Sequence, residues 1–355
     1  MLDNTSKVYI KEVNPESDKF STFIHSGLSH FKDYFFQILK NHSSTIILKP
    51  NILPTEFMNK GLAVTNPKLC AYVSDYLKDL GFKKIILAEG TTFNRKGKPD
   101  TLEGMKNNGF LEFIDRWEQF DMNKDEVGRW IEIYSPGDKE SPDNPFDIEI
   151  GISKLALKYP IVSIAKFKAH DVLGLTLSVK NLMGCLCKAR RKSTGKILHS
   201  GPKVKSYLHG FGPNNPYAIK RELNFTISKT ALAININRMA KNIFPYFSIL
   251  DAAPAMEGNG PILGKVNNMN LILCSNDSVA LDSMACKLVG IDLEYNQYIK
   301  NFGRLKLGNI DFNKIQIINQ DVYDETIKNL SFKFHEWFQY SRFTAEEIAL
   351  LHKLT

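Results

Sequence analysis

The sequence predicts an α/β fold with a largely parallel sheet and helices on both faces, and three observations carry that expectation. Short β-branched or apolar runs alternate with helix-like segments along most of the chain. Each run ends in polar or glycine residues, as strands do at the rim where open α/β sheets hold their ligands. The 355 residues, 43% hydrophobic and 24% charged, supply enough apolar surface for a core without disulfides or metals. The length suggests two lobes with the site between them, or one large α/β domain with insertions. The two lobes are an N-terminal α/β lobe over 1–150 and a second α/β lobe over 151–325 carrying a basic loop at 185–221, followed by a helical tail over 326–355.

The elements follow in order. Thr45–Leu48 (TIIL) is a strand leading into Lys49, Pro50 and Asn51. Leu69, Val73, Tyr76, Leu77 and Leu80 fall at helical spacing over 67–80, and Gly81 stops that helix. Lys84–Ala88 (KIILA) is a strand ending at Glu89 and Gly90. An amphipathic helix is expected over 101–120 and a strand over 130–134. The turn-rich, acidic run at 135–147 then forms a surface connection or hairpin. Ile161–Ala165 (IVSIA) is a buried strand running into Lys166, Phe167, Lys168, Ala169 and His170. A helix over 222–240, strands over 248–250, 271–274 and 315–318, and a helix over 279–288 complete the alternation. The C-terminal helix carries a capping box at Thr344 and Glu347. With the strands parallel, Asn51, Glu89, Lys168, His170, Asp251 and the pair Asn276/Asp277 converge on one rim.

Composition narrows the functional classes. No run of about 18 uninterrupted apolar residues occurs, so no membrane-spanning helix is expected. The first twenty residues lack the basic start and apolar run of a secretory signal. Five scattered cysteines (Cys70, Cys185, Cys187, Cys274, Cys286) suit a reducing cytoplasm. None forms a Cys-x-x-Cys, which removes zinc ribbons and ferredoxin-type iron–sulfur motifs. The charge is localised. Between Lys166 and Arg221 twelve Lys and Arg stand against Asp171 alone, so this window is more basic than the +8 of the whole chain. Such a concentration favours an anionic partner. The window has few interleaved aromatics and no nucleic-acid module signature, which argues against nucleic acid.

Three motifs carry candidate chemistry. In His170–Gly184 a helix beginning near Gly174 would align Thr176, Lys180 and Gly184 on one face, with Leu175, Val179, Leu182 and Met183 on the other. Gly174 would then open the helix N-terminus to an anion. The alternation of Leu173, Leu175, Leu177 and Val179 equally fits a strand. Downstream, His199 and His209 flank glycine–proline punctuation (Gly201-Pro202, Gly210, Gly212-Pro213) that reads as a lid, with His199 the candidate base or metal ligand. The run from Asp251 to Gly264 holds Glu257, Gly258, Asn259 and Gly260, and offers a nest of backbone N–H groups for an anion. Glu89, Asp251 and Glu257 are the candidate ligands of a divalent metal. Asp277 reads as a helix N-cap, with Asp282 facing elsewhere.

On the stretches LKPNIL (48–53), VTNP (64–67), AEGTT (88–92), 165–184, 251–264 and 276–290, the chain resembles the uncharacterised family catalogued as domain of unknown function 362. Some relatives carry a ferredoxin-like segment with cysteine clusters, which this chain lacks. The central motif also looks like one in the nickel-pincer lactate racemases, where a His is followed ten residues later by a cofactor-tethering Lys. That resemblance implies an anchoring or imine-forming amine at Lys180, a proton-transfer group at His170 and a ligand or base at His199. Leu177 and Ser178 depart from that family's small residues.

The expectation is therefore an enzyme acting on a small anionic metabolite by Lys/His-assisted proton transfer, isomerase- or racemase-like. Lys180, His170 and His199 would be catalytic, with Lys49, Asn51, Lys168, Gly174, Thr176, Asn181 and Gly258–Gly260 binding the anion. The alternatives are a non-catalytic anion- or metal-binding or redox-accessory protein, and a nucleic-acid binder using 166–221. A homo-oligomer is compatible with either class.

Overall fold

The computed structural model of the protein describes residues 5–53, 61–91, 100–212 and 222–355. Thr92, Pro213, Lys220 and Arg221, named above, lie outside them. Strand β1 (Ser6–Glu12) is followed by α1 (Phe20–Ser29), α2 (Lys32–Asn41), β2 (Thr45–Pro50), α3 (Pro67–Asp79), β3 (Lys84–Glu89), α4 (Thr101–Asn107) and β4 (Glu118–Asp121). Next come β5 (Val127–Ile133), β6 (Ile148–Ser153), α5 (Lys154–Lys158), β7 (Ile161–His170), β8 (Gly174–Thr176), β9 (Leu186–Arg191) and β10 (Ile197–Ser200). The chain closes with α6 (Glu222–Ala240), β11 (Phe247–Glu257), β12 (Lys265–Asn267), β13 (Leu271–Ser275), α7 (Ser278–Leu288), α8 (Gln297–Arg304), β14 (Ile315–Ile318), α9 (Gln320–Asn329) and α10 (Ala345–Leu354).

The central sheet has the order β14-β1-β13-β11-β7-β2-β3-β4, with β8 paired to β7 and β12 to β11. Along this order β13 alone runs against its neighbours β1 and β11, and the remaining pairs are parallel. Side chains alternate faces along each strand. Ile46 and Leu48 enter one core with Phe20, Phe35 and Leu69 of the first three helices. Ile47 and Ala165 enter the other with α6, α7 and α8 residues such as Ile234, Leu281 and Phe302. Burial on both faces is why the strand sequences read as continuous apolar runs. A second, antiparallel sheet, β10-β9-β6-β5, adds Ile131, Ile150 and Ala189 to the second core.

The largely parallel α/β architecture is as the sequence predicts, but three local expectations change. The boundary at 150 falls inside β6, and both halves of the chain supply strands to both sheets, so the segments do not fold as separate lobes. The boundary at 326 falls inside α9. The expected helix over 101–120 ends at Asn107, because Gly109 takes φ +83°, and its last residues become strand β4. At 174–184 the strand alternative is the observed one: β8 folds back on β7, pairing His170 with Gly174 and Lys168 with Thr176. A short 3₁₀ helix follows over Lys180–Cys185.

The basic window is largely neutralised or buried. Arg191 donates to Asp138, to Glu140 at 2.8 Å and to Asp147 at 3.3 Å, all from the acidic 135–147 connection. Arg190 donates to Glu149 at 2.7 Å and lies 4.3 Å over the Trp130 ring, and Lys192 pairs with Glu132. Lys166, Lys168, Lys180 and Lys205 point inward and are buried. Among the described residues, Lys196 and Lys203 stay exposed and Lys188 is half-buried. Replacing Arg191 with Ala leaves two largely buried carboxylates without their cation. We expect a loss of about 1–3 kcal/mol of stability in urea unfolding, and an unchanged midpoint would contradict that role.

Candidate functional site

Alternation along β7 builds the site. Lys166, Lys168 and His170 lie two residues apart and therefore share a face. The intervening Ala165, Phe167 and Ala169 turn to the core and are fully buried. Neighbouring strand ends add Lys49 and Asn51 after β2, Glu89 at the end of β3 and Asp251 on β11. The 3₁₀ helix over 180–185 adds Lys180 and Asn181. A second 3₁₀ helix, Gly201–His209, reaches in with Lys205 and His209. Between them lies a cavity of about 230 Å³, lined by Asn51, Glu89, Lys168, His170, Thr176, Lys180, Asn181, Lys205 and His209 and closed on one side by Pro261 and Ile262.

Asn181 ties the strand ends together. Its Oδ1 accepts from Lys49 Nζ at 3.0 Å and from Asn51 Nδ2 at 2.6 Å, and its Nδ2 donates to the Lys49 carbonyl at 2.9 Å and to Ser163 Oγ at 3.0 Å. Asn51 Oδ1 accepts from the Lys166 N–H at 2.8 Å. Both amides are spent on the framework, which makes them wall rather than probe. Gly90 and Gly184 let β3 and the 3₁₀ helix meet. A Cβ on Gly90 would strike the Gly184 carbonyl oxygen, and one on Gly184 would strike the Glu89 carboxylate.

The charges do not balance. Lys49 pairs with Glu89, and Lys166 pairs with Asp251 at 3.0 Å. Lys168 donates to the neutral Ala63 carbonyl at 3.1 Å, and Lys205 donates to the neutral Asn123 amide. Lys180 Nζ makes no hydrogen bond or ion pair among the described residues, although Lys180 is 9% exposed. Burial lowers all three ammonium groups, to about 7 for Lys168, where Lys180 adds to the effect, and to about 8 for Lys180 and Lys205. Burial also raises the Glu89 carboxyl, against the pull of Lys49. Thr176 Oγ1, across the hairpin from Lys168, is buried without a partner among the described residues.

Two imidazoles stand beside these amines. The His170 and His209 rings stack, with centroids 6.5 Å apart and planes 13° off parallel. Burial, reinforced by Lys180, holds both neutral: His170 lies well below its usual value and His209 falls to about 3. His170 Nδ1 accepts the N–H groups of Val172 at 3.1 Å and Leu173 at 3.3 Å. The Val172 N–H is shared with Asp171 Oδ1 at 2.9 Å. His170 Nδ1 also lies 3.0 Å from Asp171 Oδ1, so the neutral ring carries its proton on Nε2 when Nδ1 accepts these N–H groups and on Nδ1 when it donates to Asp171.

Several expected site residues lie elsewhere. His199, on β10, hydrogen-bonds the Tyr207 hydroxyl at 2.8 Å and is absent from the cavity wall; His209 occupies the position expected of it. The His–Lys–His spacing that resembles the racemases is thus not reproduced in space. Gly174 does not open a helix N-terminus. It takes φ +76° in the β7–β8 turn, packed against Phe338 and Ile291. The 258–260 backbone is committed to the fold: the Gly258 N–H donates to the Lys333 carbonyl and the Gly260 N–H to the Gly258 carbonyl, both at 2.7 Å. Gly260 is required because a Cβ there would strike the Ala169 carbonyl.

Glu89, Asp251 and Glu257 do not converge on a metal. Asp251 holds the Asn66 N–H at 2.8 Å besides Lys166, and Glu257 binds Asn267 at 2.7 Å and the Lys333 N–H at 3.0 Å. Among the described residues no group of three His, Cys, Asp or Glu has metal-site geometry. Asn276 and Asp277 sit at the opposite rim because β13 is antiparallel, and Asp277 caps α7. Asp282, expected to face elsewhere, accepts from Ser178 Oγ at 2.6 Å and from the Ser178 and Val179 N–H groups at 2.9 and 3.1 Å. It thereby fixes the turn that presents Lys180. Lys205 was not legible as a site residue, its one sequence signal being its place four residues before His209.

A family model described as "Domain of unknown function (DUF362)" matches residues 46–287. The chain belongs to this family. The DUF362 segment runs from β2 to α7 and contains every described residue of the cavity wall. β1, α8, β14 and the C-terminal helices fall outside it and frame the cavity without lining it. A thylakoid-associated protein from Synechocystis sp. is 25% identical over 249 residues, covering 70% of this chain and 63% of that protein. The chain thus spans less than two thirds of that relative's length. A solved Thermotoga maritima structure aligns at 12% identity with a TM-score of 0.38, over 72% of this chain and 55% of that one. No helix among the described residues is long and apolar enough to cross a membrane.

Lys180 is depressed from 10.5 to about 8, so below pH 8 the folded protein holds a buried charge that the unfolded chain holds in water. The cost is fully present below pH 8 and vanishes as pH rises toward 10.5. We therefore expect Lys180→Met to be more stable than the parent at pH 7, by about 1–3 kcal/mol, with the gap narrowing by pH 10. Chemical denaturation at the two pH values checks this, and a destabilised variant at pH 7 would contradict it.

Proposed function

We propose that this DUF362 protein is an enzyme that binds a small carboxylate- or phosphate-bearing molecule in the lysine-lined cavity and moves a proton next to its anionic group. The observation that carries the reading is the buried Lys180 ammonium, without a hydrogen-bond partner among the described residues, lining one cavity with Lys168, Lys205 and two neutral imidazoles. Unmatched buried cations are costly, and such a cluster at strand carboxyl ends is the setting in which perturbed groups serve binding and catalysis.

The chemistry assigned to each residue follows from its protonation. Near neutral pH a fraction of Lys180 is free amine, a base of suitable strength for a proton beside a carboxylate. Lys168 and Lys205, when charged, stabilise the negative charge that develops as that proton leaves. His170 is neutral and donates to a forming oxyanion in the tautomer that carries its proton on Nε2, with the neutral His209 ring parallel to it. Glu89 with Lys49 sets the field at the floor of the cavity. Five buried, unpaired cysteines agree with a reducing cytoplasmic setting. No step in this scheme depends on His199.

The test is hydrogen exchange. A panel of 2-hydroxy, 2-amino and phosphorylated hydroxy acids is incubated with the protein in D₂O and followed by proton NMR. We expect protein-dependent loss of the Cα–H signal for at least one member, with a rate that peaks between about pH 7 and about pH 8, where Lys180 is partly free amine while Lys168 and Lys205 are partly charged. Lys180→Met should lower that rate by about 10²–10⁴, and the surface variant Lys196→Met should leave it unchanged. No exchange across the panel, or equal exchange in Lys180→Met, would overturn the reading.

A further inference from the structure

We infer that the ligand of this cavity carries two negative charges on a compact head group, a phosphoryl group or a pair of close carboxylates, held between Lys168, Lys180 and Lys205 with the Thr176 hydroxyl as an additional donor. The inference rests on the anion-binding half of the proposed function and names the substrate class. Its test reads binding alone; in the bound complex Lys180 acts as base only in the fraction that has lost its proton.

Counting charges leads there. Among the described residues the cavity wall holds three ammonium groups and one carboxylate, and that carboxylate, Glu89, is already taken by Lys49. Lys166 is likewise taken by Asp251. The remaining three ammonium groups have no anionic partner in hydrogen-bond contact. Asp171 near Lys180 and Asp121 near Lys205 offset part of this charge without hydrogen-bonding it, and a dianion gives bonded partners to more of the three ammonium groups than a single carboxylate does. The donors are also arranged for such a group. Lys168 and Thr176 face each other across the β7–β8 hairpin, Lys180 comes from the 3₁₀ helix that follows, and Lys205 comes from the separate helix over 201–209. Amines supplied from three elements act as point charges around one centre. The unpartnered Thr176 Oγ1 is the second, independent pointer, because a buried hydroxyl without a partner is costly unless a ligand satisfies it.

Binding a dianion returns protons to the amines. The groups facing them fall into three sets. Lys168 meets Glu89, Lys49, Lys166 and Lys180. Lys180 meets Asp171, with His170 and His209 alongside. Lys205 meets Glu89, Lys49, Asp121 and Cys187. The imidazoles are neutral across the range and the acids are unchanged in number, so the amines take up the protons. With values of about 7 and about 8 in the empty cavity, uptake is expected near pH 8 and fades by pH 6, where the amines are already charged.

Calorimetric titration of the full chain tests this with sulfate, malonate and acetate at pH 8 and pH 6, in two buffers of different ionisation enthalpy. Sulfate keeps its charge throughout, so protons exchanged on its binding belong to the protein. We expect sulfate or malonate to bind at least about tenfold more tightly than acetate, with uptake of about one proton at pH 8 and almost none at pH 6. Whichever dianion binds more tightly separates a phosphoryl-type head from a dicarboxylate. Thr176→Val, which removes an unpaired hydroxyl at constant volume, should fold with an unchanged or higher melting temperature and bind the preferred dianion several-fold more weakly. Acetate binding as tightly as both dianions, or no proton uptake at pH 8, would overturn the dianion assignment while leaving an anion site. Absence of binding by all three would overturn the site reading itself. Thr176→Val with full affinity would remove the hydroxyl from the recognition.

Discussion

Five lysine ammonium groups converge on the carboxyl ends of β2 and β7 and the elements around them, and two carboxylates answer them. That excess of buried positive charge is the constraint on which the rest of the structure turns. Lys49–Glu89 and Lys166–Asp251 are conventional buried pairs, each satisfied by neighbouring amides and backbone groups. Lys168, Lys180 and Lys205 have no carboxylate in hydrogen-bond contact among the described residues; Glu89, Asp121 and Asp171 lie near enough to support their charge, but burial outweighs them and weakens the hold on the proton. Desolvation of an ion in a protein interior costs several kcal/mol. A sequence that keeps three such groups in one 230 Å³ cavity gives up stability there, the trade usually found where function sets the residue.

The surrounding architecture holds the cluster rigid. The β7–β8 hairpin fixes Lys168 and Thr176 in register, Asn181 laces the ends of β2 and β7, and Asp282 accepts three hydrogen bonds from the turn before Lys180. The last of these comes from α7 on the far side of the strand, so the helix acts as a buttress for the amine. The C-terminal segment contributes from outside the family-matched region. Lys333 bonds the Gly258 turn in both directions, Phe338 packs on Gly174, and Ser341 Oγ donates to the Val172 carbonyl at 3.2 Å. These contacts brace the two turns that flank His170 and Pro261.

Much of this was legible in the sequence, for physical reasons that differ by element. Strands buried on both faces announce themselves as apolar runs, so β2, β3, β7, β13 and β14 were evident, as were α3, α6, α7 and the capped α10. The continuation of β7 through Lys166–His170 was not evident, because charged residues after IVSIA read as the polar end of a strand. Direction was not legible. A run such as LILC carries no sign of being antiparallel, which is why Asn276 and Asp277 were expected at the wrong rim. The 174–184 segment was ambiguous because Leu173, Leu175, Leu177 and Val179 alternate while Thr176, Lys180 and Gly184 repeat every four. The left-handed φ of Gly174 resolves it as a hairpin turn. Lys205 and His209 arrive from a distant 3₁₀ helix, and no local pattern predicts which long side chains cross a cavity. The basic window misleads in composition alone, since the partners of Arg191 lie in the acidic 135–147 connection and those of Lys166, Arg190 and Lys192 on other strands.

The central claim, that Lys180 is a buried amine poised near neutrality beside other ammonium groups, is tested most directly by observing its titration. Carbon-13 NMR of the lysine Cε resonances, with the Lys180 signal assigned by its loss in Lys180→Arg, gives that midpoint in the intact chain. The account predicts a transition near pH 8. A Lys180 signal that titrates near 10.5, as an exposed lysine does, would contradict it.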